Sequence, residues 1–399
     1  MKRARQREAQ AEVSSNNEDD EFDFELIRKL YRLNPEAKVL LVGDGNFSFS
    51  QALTRLAPHC QYAATAFESE KELKSSNLDE IFERIDALRA FKNCVGAHLN
   101  VDATKLSATL PADLRSVRFD VVIFQFPQHP ERRKINKQRQ LLSDFFRSAL
   151  DVLAGEGRVI VSLCRGQGGT PFEEKMRKAS DTWRVQEMAA EAGLLLEEVD
   201  FCPIPALASL GYGSTGFRAR GLRKGNADKF QDRSFNWDGS LTHVFCRDDV
   251  EGVVAAYSMN FSHDISIWEP DGFSESLLLT ELRSAIGLAP EPTEEQVPGV
   301  KIECKLLDRY TEPKDGRQAR TYRLEVDSQT KALTVTSWRK ACEGVRAKFS
   351  RLTTGSEGPM QSEPRLEPGD DDGVCDAEGS SDDGAGAASA SASTKAAVT

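Results

Sequence analysis

The sequence predicts an α/β protein whose main domain is a doubly wound, mostly parallel sheet with helices on both faces. Three observations lead to this class. Strand-like apolar segments alternate with helix-like segments over residues 38–247. The first strand runs directly into the Gly-x-Gly turn of Gly43 and Gly45. The segment 137–153 repeats its apolar residues every 3.6 positions, a pattern that buries one helix face against a sheet.

The elements follow in order along the chain. Residues 1–36 are predicted to be a flexible leader with one short helix near 24–33. Strands are then predicted at 38–43, 61–67, 94–99, 119–125, 157–163, 194–201 and 241–246, with helices between most of them. Because parallel strands end at one edge of such a sheet, ligands are expected at their carboxyl ends.

A second, smaller α+β domain is predicted at 261–353, after a linker at 248–260. A first strand, a helix at 274–286, strands at 300–310 and 319–327, and a helix at 335–349 give this domain its order. Only residues 351–354 then remain for a final strand. The final strand is therefore expected to be short or missing.

Charge is distributed unevenly along the 399 residues. Residues 354–399 hold ten acidic and two basic residues, a net charge of −8, so the other 353 residues carry only −3 of the total of −11. The composition of that tail predicts disorder. No apolar run approaches a membrane span, and no secretory or organellar presequence is evident. We expect a soluble protein, cytoplasmic or nucleolar, that has no contact with membranes.

The eight cysteines are scattered and form no Cys-x-x-Cys pair. They are expected to be reduced thiols, and no metal site is predicted.

The glycine loop predicts a nucleotide-like ligand. Gly43 and Gly45 lack the Cβ atoms that would block a tight turn, and amides around Asn46 to Ser48 are expected to be unpaired at a helix start. Ser48 stands where the dinucleotide fingerprint has a third glycine, so S-adenosylmethionine, which has no phosphate, fits better than a pyrophosphate. The alternative is an ordinary turn between a strand and a helix.

Polar residues follow the next predicted strands. Glu68 can accept hydrogen bonds from both hydroxyls of a ribose, and the corner of Asp102, Ala103 and Thr104 suits an adenine amino group. Alternatively, Glu68 is only solvated and Asp102 only caps the turn at Thr104.

The motifs at 40–49, 102–106 and 119–127, with Trp183 and the Ala-Gly-Leu at 192–194, resemble the Rossmann-like domain of uridine-N3 methyltransferases of large-subunit ribosomal RNA. The resemblance covers about residues 38–247. Segments 163–171 and 234–245 resemble the branch that is fused to a ferredoxin-fold anticodon-binding domain. In the second half, 263–268, 306–310, 322–324 and 332–334 are similar to that domain at the C-terminus of phenylalanyl-tRNA synthetases.

The resemblance implies a class I methyltransferase domain that binds S-adenosylmethionine. It places the cofactor against a set of residues from three strand ends: Gly43, Asp44, Gly45, Asn46, Phe47, Ser48, Glu68, Asp102, Ala103 and Thr104. The substrate loop of the family reads Asn-Phe-Pro-His, whereas this chain reads Gln125-Phe126-Pro127-Gln128-His129. Gln125, Pro127 and His129 are the candidate catalytic residues, with His129 as proton acceptor. An ordinary surface histidine is the alternative for His129.

RNA contacts are predicted from aromatic and basic residues. Phe126, Trp183 and Phe172 can stack on a flipped base, although each can equally be core packing. Two basic stretches are predicted to contact phosphate, and include Arg132, Arg133, Arg218, Arg220 and Arg223. A solvated run of charges is the alternative for both.

Three functions remain open at this stage. The preferred one is methylation of N3 of a uridine, in rRNA. The anticodon-binding-like domain points to tRNA as an alternative substrate. A non-catalytic RNA-binding or ribosome-assembly protein on a methyltransferase fold is the third, which the change to Gln125 favours most.

Overall fold

The computed structural model describes residues 23–75, 78–129, 131, 134–173, 175–213, 237–289 and 299–354. Its main sheet has seven strands in the order β3-β2-β1-β4-β5-β7-β6. The strands are β1 Lys38–Val42, β2 Gln61–Thr65, β3 Cys94–His98, β4 Phe119–Gln125, β5 Leu153–Leu163, β6 Leu194–Phe201 and β7 Leu241–Arg247. β7 is antiparallel to both β5 and β6, and the five strands from β1 to β5 are parallel. The predicted doubly wound α/β sheet is confirmed.

Strand order reverses between β1 and β4. β1 pairs with β2 on one side and with β4 on the other, and the chain proceeds outward in both directions. Helices that leave β1 and β4 therefore cover opposite faces, and a crevice opens between the carboxyl ends of these two strands.

Helices cover both faces of the sheet. Those before and between the strands are α1 at 23–30, α2 Ser48–Leu56, α3 Glu70–Ser75, α4 Glu80–Arg89, α5 Leu106–Thr109, α6 Ile135–Leu150, α7 Val185–Ala190 and α8 Ile204–Ser209. One core packs α5, α6 and α7 against Leu40, Val122 and Phe245, and another packs α1, α2 and α8 against Val39, Ile123 and neighbouring residues. None of the helices in the described ranges is long and apolar enough to cross a membrane.

The helix predicted at 137–153 ends earlier than its apolar period indicates. α6 stops at Leu150, and Leu153 begins β5, where it pairs with Phe119. Leu153 is apolar because it lies in the same core as α6, so it fits the helical period and the sheet equally well. Pairing with β4 decides the outcome, since the Phe119 amide bonds to the Val152 carbonyl.

The prediction of a flexible leader is wrong for residues 23–36. Ile27, Leu30, Tyr31 and Leu33 are all buried in the core that also contains α2 and α8. Arg32 pairs with Glu198 at 2.7 Å. Residues 23–36, which include α1, are therefore a packed part of the fold, and the helical spacing of Ile27, Leu30 and Tyr31 explains part of this burial.

The small α+β sheet is also present. β8 Met259–Trp268, β9 Val300–Thr311 and β10 Gln318–Ser328 form an antiparallel sheet in the order β8-β10-β9. Helices α9 Glu275–Ala285 and α10 Val335–Thr354 cover one of its faces, around Tyr322, Leu324 and Trp338. The strand considered at 351–354 does not form, because α10 continues through these residues.

The predicted linker joins the two sheets through specific contacts. The Ala256 amide bonds to the Leu196 carbonyl at 2.7 Å, and the Ala255 amide bonds to Gln329 O at 2.7 Å. Asp248 receives both the Ala332 amide and the Lys331 ammonium group. Met259 and Asn260, which the prediction assigned to the linker, already belong to β8.

Candidate functional site

The glycine loop follows β1 at the point where the strand order reverses. Gly43 has φ +68°, a conformation that side chains with a Cβ rarely adopt. A Cβ at Gly43 would come within 2.5 Å of the Phe124 ring. The Asp44 amide bonds to the Thr65 carbonyl, which ties the end of β1 to the end of β2. The packing of Phe124, near the carboxyl end of β4, therefore requires glycine at position 43, independently of any ligand.

The expectation of unpaired amides at the start of α2 is wrong for Phe47 and Ser48, and the Ser50 amide is paired as well. The Phe47 amide bonds to Asp44 O, the Ser48 amide to Asn46 Oδ1, and the Ser50 amide to Asp44 Oδ2. The Asp44 carboxylate also accepts the Ser50 hydroxyl at 2.6 Å. Burial nevertheless raises the pKa of Asp44 from its ordinary value. These bonds occupy the amides at the start of the helix, so few of those amides can bind a phosphate.

Loop residues beyond β6 also contact the start of α2. Asn46 Nδ2 and Ser48 Oγ both donate to the Gly213 carbonyl, each at 3.0 Å. The Gly213 amide donates back to Ser48 Oγ at 3.1 Å. Asn46 and Ser48 are therefore engaged by the chain, and their predicted cofactor contacts would have to be made by other atoms of the loop.

Two carboxylates lie at the ends of β2 and β3, beside the loop. The Asn100 amide bonds to Glu68 O at 2.9 Å and the Val101 amide to Ala66 O at 3.0 Å, which holds the two segments together. Glu68 is half-buried, and its carboxylate makes no hydrogen bond or ion pair within the described ranges. Asp102 Oδ1 accepts the Thr104 amide and hydroxyl, at 2.9 and 2.7 Å. The capping role considered for Asp102 is thus present, and Oδ1 is the oxygen that fills it.

Gln125 ends β4 and is held at both ends of its amide. Tyr31 Oη donates to Gln125 Oε1 at 3.2 Å, and Gln125 Nε2 donates to Cys202 Sγ at 3.4 Å. Tyr31 also lies 3.4 Å from Ser162 Oγ, which bonds to Thr242. Burial raises the pKa of both Tyr31 and Cys202, so both stay protonated. This network joins the residue after α1 to β4, β5, β7 and the end of β6.

His129 has a defined orientation. Its backbone amide bonds to Gln138 Oε1 at 2.9 Å, and its Nδ1 accepts the Glu131 amide at 3.1 Å. A neutral imidazole that accepts at Nδ1 carries its proton on Nε2. In this arrangement Nε2 is a hydrogen-bond donor, which does not favour the predicted role of proton acceptor.

The three predicted stacking residues differ in accessibility. Trp183 is only 6% exposed and its amide bonds to Gln167 O, so it is part of the core. Phe126 is half-buried with φ 52°. Phe172 is half-buried and lies against Phe201, with ring centroids 5.3 Å apart. Trp183 cannot stack on a base, whereas Phe172 remains a candidate.

The basic stretches are mostly outside the described residues. Arg132, Arg133, Arg218, Arg220 and Arg223 all lie there, so their predicted phosphate contacts stay predictions. Within the described ranges, no group of three or more His, Cys, Asp or Glu side chains has the arrangement of a metal site.

Two residues that the sequence reasoning missed lie at this edge. Tyr31 contacts Gln125 from the turn directly after α1, and its only signal was a tyrosine at the end of an amphipathic segment. Phe67 is 41% exposed beside Glu68, where a flat apolar side chain can cover an adenine.

Comparison with known proteins shows that part of the chain is similar to a known family. Residues 40–203 match the family model BMT5-like, described as rRNA (uridine-N3-)-methyltransferase BTM5-like. This segment is therefore similar to that family. The match includes the glycine loop, Glu68, Asp102 and the loop at 125–129 after β4. It agrees with the resemblance found from the motifs.

Curated relatives carry the name of the predicted second domain. The chain is 40% identical over 209 residues to the "Ferredoxin-fold anticodon-binding domain-containing protein 1 homolog" of Mus musculus, covering 52% of this chain and 30% of the relative. It is 38% identical over 211 residues to the Homo sapiens protein of that name, covering 53% and 31%. The chain spans about a third of the length of these relatives. Among solved structures, the 16S rRNA methyltransferase KamB is similar with a TM-score of 0.33 and 15% identity, over 55% of this chain and 92% of that one.

Proposed function

We propose that this protein is an S-adenosylmethionine-dependent RNA methyltransferase that methylates N3 of a uridine, with large-subunit rRNA as the preferred candidate substrate. The observation that carries the proposal is the pair of carboxylates, Glu68 and Asp102, beside a glycine loop whose helix-start amides are already paired. The BMT5-like match over 40–203 supports the choice of RNA and of the uridine nitrogen.

The residues at the crevice fit S-adenosylmethionine better than a phosphate-bearing ligand. Carboxylates repel phosphate, but they accept hydrogen bonds from ribose hydroxyls and an adenine amino group. Glu68 would hold the ribose, Asp102 with Ala103 and Thr104 the adenine, and Phe67 would cover the ring. Gly43 to Ser48 would border the amino-acid part. The cofactor, when bound, supplies an electrophilic methyl group on sulfur.

The loop at 125–129, after β4, would orient the uracil for methyl transfer. Uridine N3 must lose its imino proton, to solvent, and its lone pair must point at the methyl carbon. A carboxamide oxygen has two acceptor lone pairs, so Gln125 Oε1 keeps one after accepting from Tyr31, whereas its Nε2 donates to Cys202 and to Tyr212. It would therefore orient the uracil edge. The Nε2–H of His129 would donate to a uracil carbonyl oxygen, on which negative charge builds when the proton leaves.

Cofactor binding is tested by Glu68→Ala. We expect at least about tenfold weaker binding of S-adenosylmethionine, because two hydrogen bonds between ribose hydroxyls and a carboxylate are lost. Isothermal titration calorimetry on the full chain measures the effect. Glu70→Ala is the matched control, since Glu70 is an exposed carboxylate that pairs with Lys74. Equal affinity in both variants would move the cofactor away from this crevice.

Methyl transfer is tested by Gln125→Ala. We expect transfer to fall on the order of a hundredfold while cofactor affinity changes little, because the amide contacts the base and a small misplacement is costly. The measurement is single-turnover transfer of labelled methyl to RNA, followed by nucleoside mass spectrometry for 3-methyluridine. Tyr31→Phe is the companion variant. It removes one bond to Gln125 and should lower the rate by a smaller factor.

A second candidate function is a non-catalytic RNA-binding protein on the same fold. It is favoured by the substitution of Gln125 for the family asparagine, and by the engagement of both ends of its amide. RNA and cofactor binding without any 3-methyluridine would select this function. In either case we propose that the domain at 261–353 helps to bind RNA, with rRNA before tRNA, in the cytoplasm or nucleolus.

A further inference from the structure

An exposed pair of aromatic rings lies at the end of β6. Phe201 is the last residue of this strand and is 54% exposed, which is unusual for so large an apolar side chain. Phe172, in the loop that follows β5, packs against it edge to face with an interplanar angle of 70°. We call Phe172 and Phe201 the aromatic pair.

The aromatic pair lies at the same edge of the sheet as the proposed reaction site. β6 runs parallel to β4 and β5, because β7 is antiparallel to both β5 and β6. Phe201 pairs with Leu241, which pairs in turn with Leu163 at the end of β5. The next residue, Cys202, accepts the hydrogen bond from Gln125 Nε2. Phe201 is therefore the direct chain neighbour of a residue that contacts Gln125.

The loop that carries Phe172 is basic, in a chain that is acidic overall. Residues 164–178 contain Arg165, Lys175, Arg177 and Lys178 against two glutamates, whereas the whole chain has a net charge of −11. The Arg177 guanidinium packs against Gly166, where an added Cβ would meet it within 2.4 Å. That contact holds one cation against the start of the loop.

We propose that the aromatic pair stacks on unpaired bases of a single-stranded RNA segment, while the cations of 164–178 contact its phosphates. Exposed aromatic rings beside positive charge form the usual surface for single-stranded nucleic acid, because every base has a face on which a ring can stack. In a duplex those faces are covered by neighbouring bases. The choice of RNA rests on the proposed function, but the surface itself does not require methyl transfer.

The first test compares single-stranded and duplex RNA. Fluorescence anisotropy with a labelled short oligouridine should show that Phe201→Ala in the full chain weakens binding at least about fivefold. Affinity for a duplex probe should stay unchanged. Phe201→Tyr, which keeps the ring, should restore binding. Val95→Ala is the matched control, because Val95 is also an exposed large apolar side chain, 49% accessible, but lies in β3, at the opposite edge of the sheet from β6. Unchanged single-strand affinity in Phe201→Ala would overturn the proposal.

The second test uses Phe201→Trp as a reporter. Its difference emission spectrum against the parent protein should be that of a solvated indole, and oligouridine should quench it by stacking. A blue-shifted emission before RNA is added would mean that another part of the chain covers this position, and it would overturn the proposal. Cofactor calorimetry on the same samples separates the two claims. Quenching without cofactor binding would support the aromatic pair and contradict the proposed enzyme.

Discussion

Replacing Gly43 by valine is expected to lower the free energy of unfolding by roughly 2 to 5 kcal/mol. Two costs add. A β-branched residue is strained at φ +68°, and its Cβ would overlap the Phe124 ring, 2.5 Å away. Phe124 cannot move freely, because its ring packs edge to face against Phe145 with centroids 5.0 Å apart. Urea unfolding followed by circular dichroism gives the free energy.

Gly155→Val is the matched control for this prediction. Gly155 lies in β5, is exposed, and has no atom within 4 Å of an added Cβ, so valine there should change stability little. The double variant Gly43→Val with Phe124→Leu separates the two costs. It should recover the unfolding free energy that is lost to the overlap, but not the part that is lost to backbone strain. If Gly43→Val were as stable as Gly155→Val, the close approach of Phe124 would be ruled out.

The second large effect is a pH dependence of stability from His243. This histidine is completely buried in β7, and burial lowers its pKa to about 4 from the ordinary 6.5. Its Nδ1 lies 3.2 Å from the Val161 carbonyl and so carries the proton, while Nε2 has no hydrogen-bond partner among the residues that the structure describes. Protonation would place a second N–H, and a charge, at that unpartnered position.

The sign follows from the two pKa values of His243, about 4 folded and near 6.5 unfolded. Between these values the unfolded chain binds more protons, so stability rises with pH through this window and is lost as the pH falls. The full difference is roughly 3 kcal/mol. His243→Asn keeps a donor near Val161 O and removes the ionisation. As the pH is lowered from 7 to 4, the unfolding free energy of the parent protein should fall relative to that of the variant by roughly 3 kcal/mol. A constant difference across this range would contradict the prediction.

Part of the site could be predicted because it depends on positions along single strands. Glu68 and Asp102 come directly after strands whose bounds the apolar pattern predicts within a few residues, and parallel strands bring such positions to one edge. The roles of individual atoms could not be predicted in this way. His129 Nδ1 is occupied by a neighbouring amide, and Trp183 is buried by the helices packed around it. Both depend on local geometry that residue type does not encode.

The sequence by itself determined the class of the fold, the strands and helices, and the position of the glycine loop, because hydrophobic periods of 2 and 3.6 residues are local properties of a chain. Only the tertiary structure decided what those residues contact. It brought the Tyr31 hydroxyl, just after α1, into hydrogen-bond contact with Gln125. It also packed the Phe124 ring against Gly43 and Phe201 against Phe172. These contacts join residues between 29 and 94 positions apart, and packing across elements sets them.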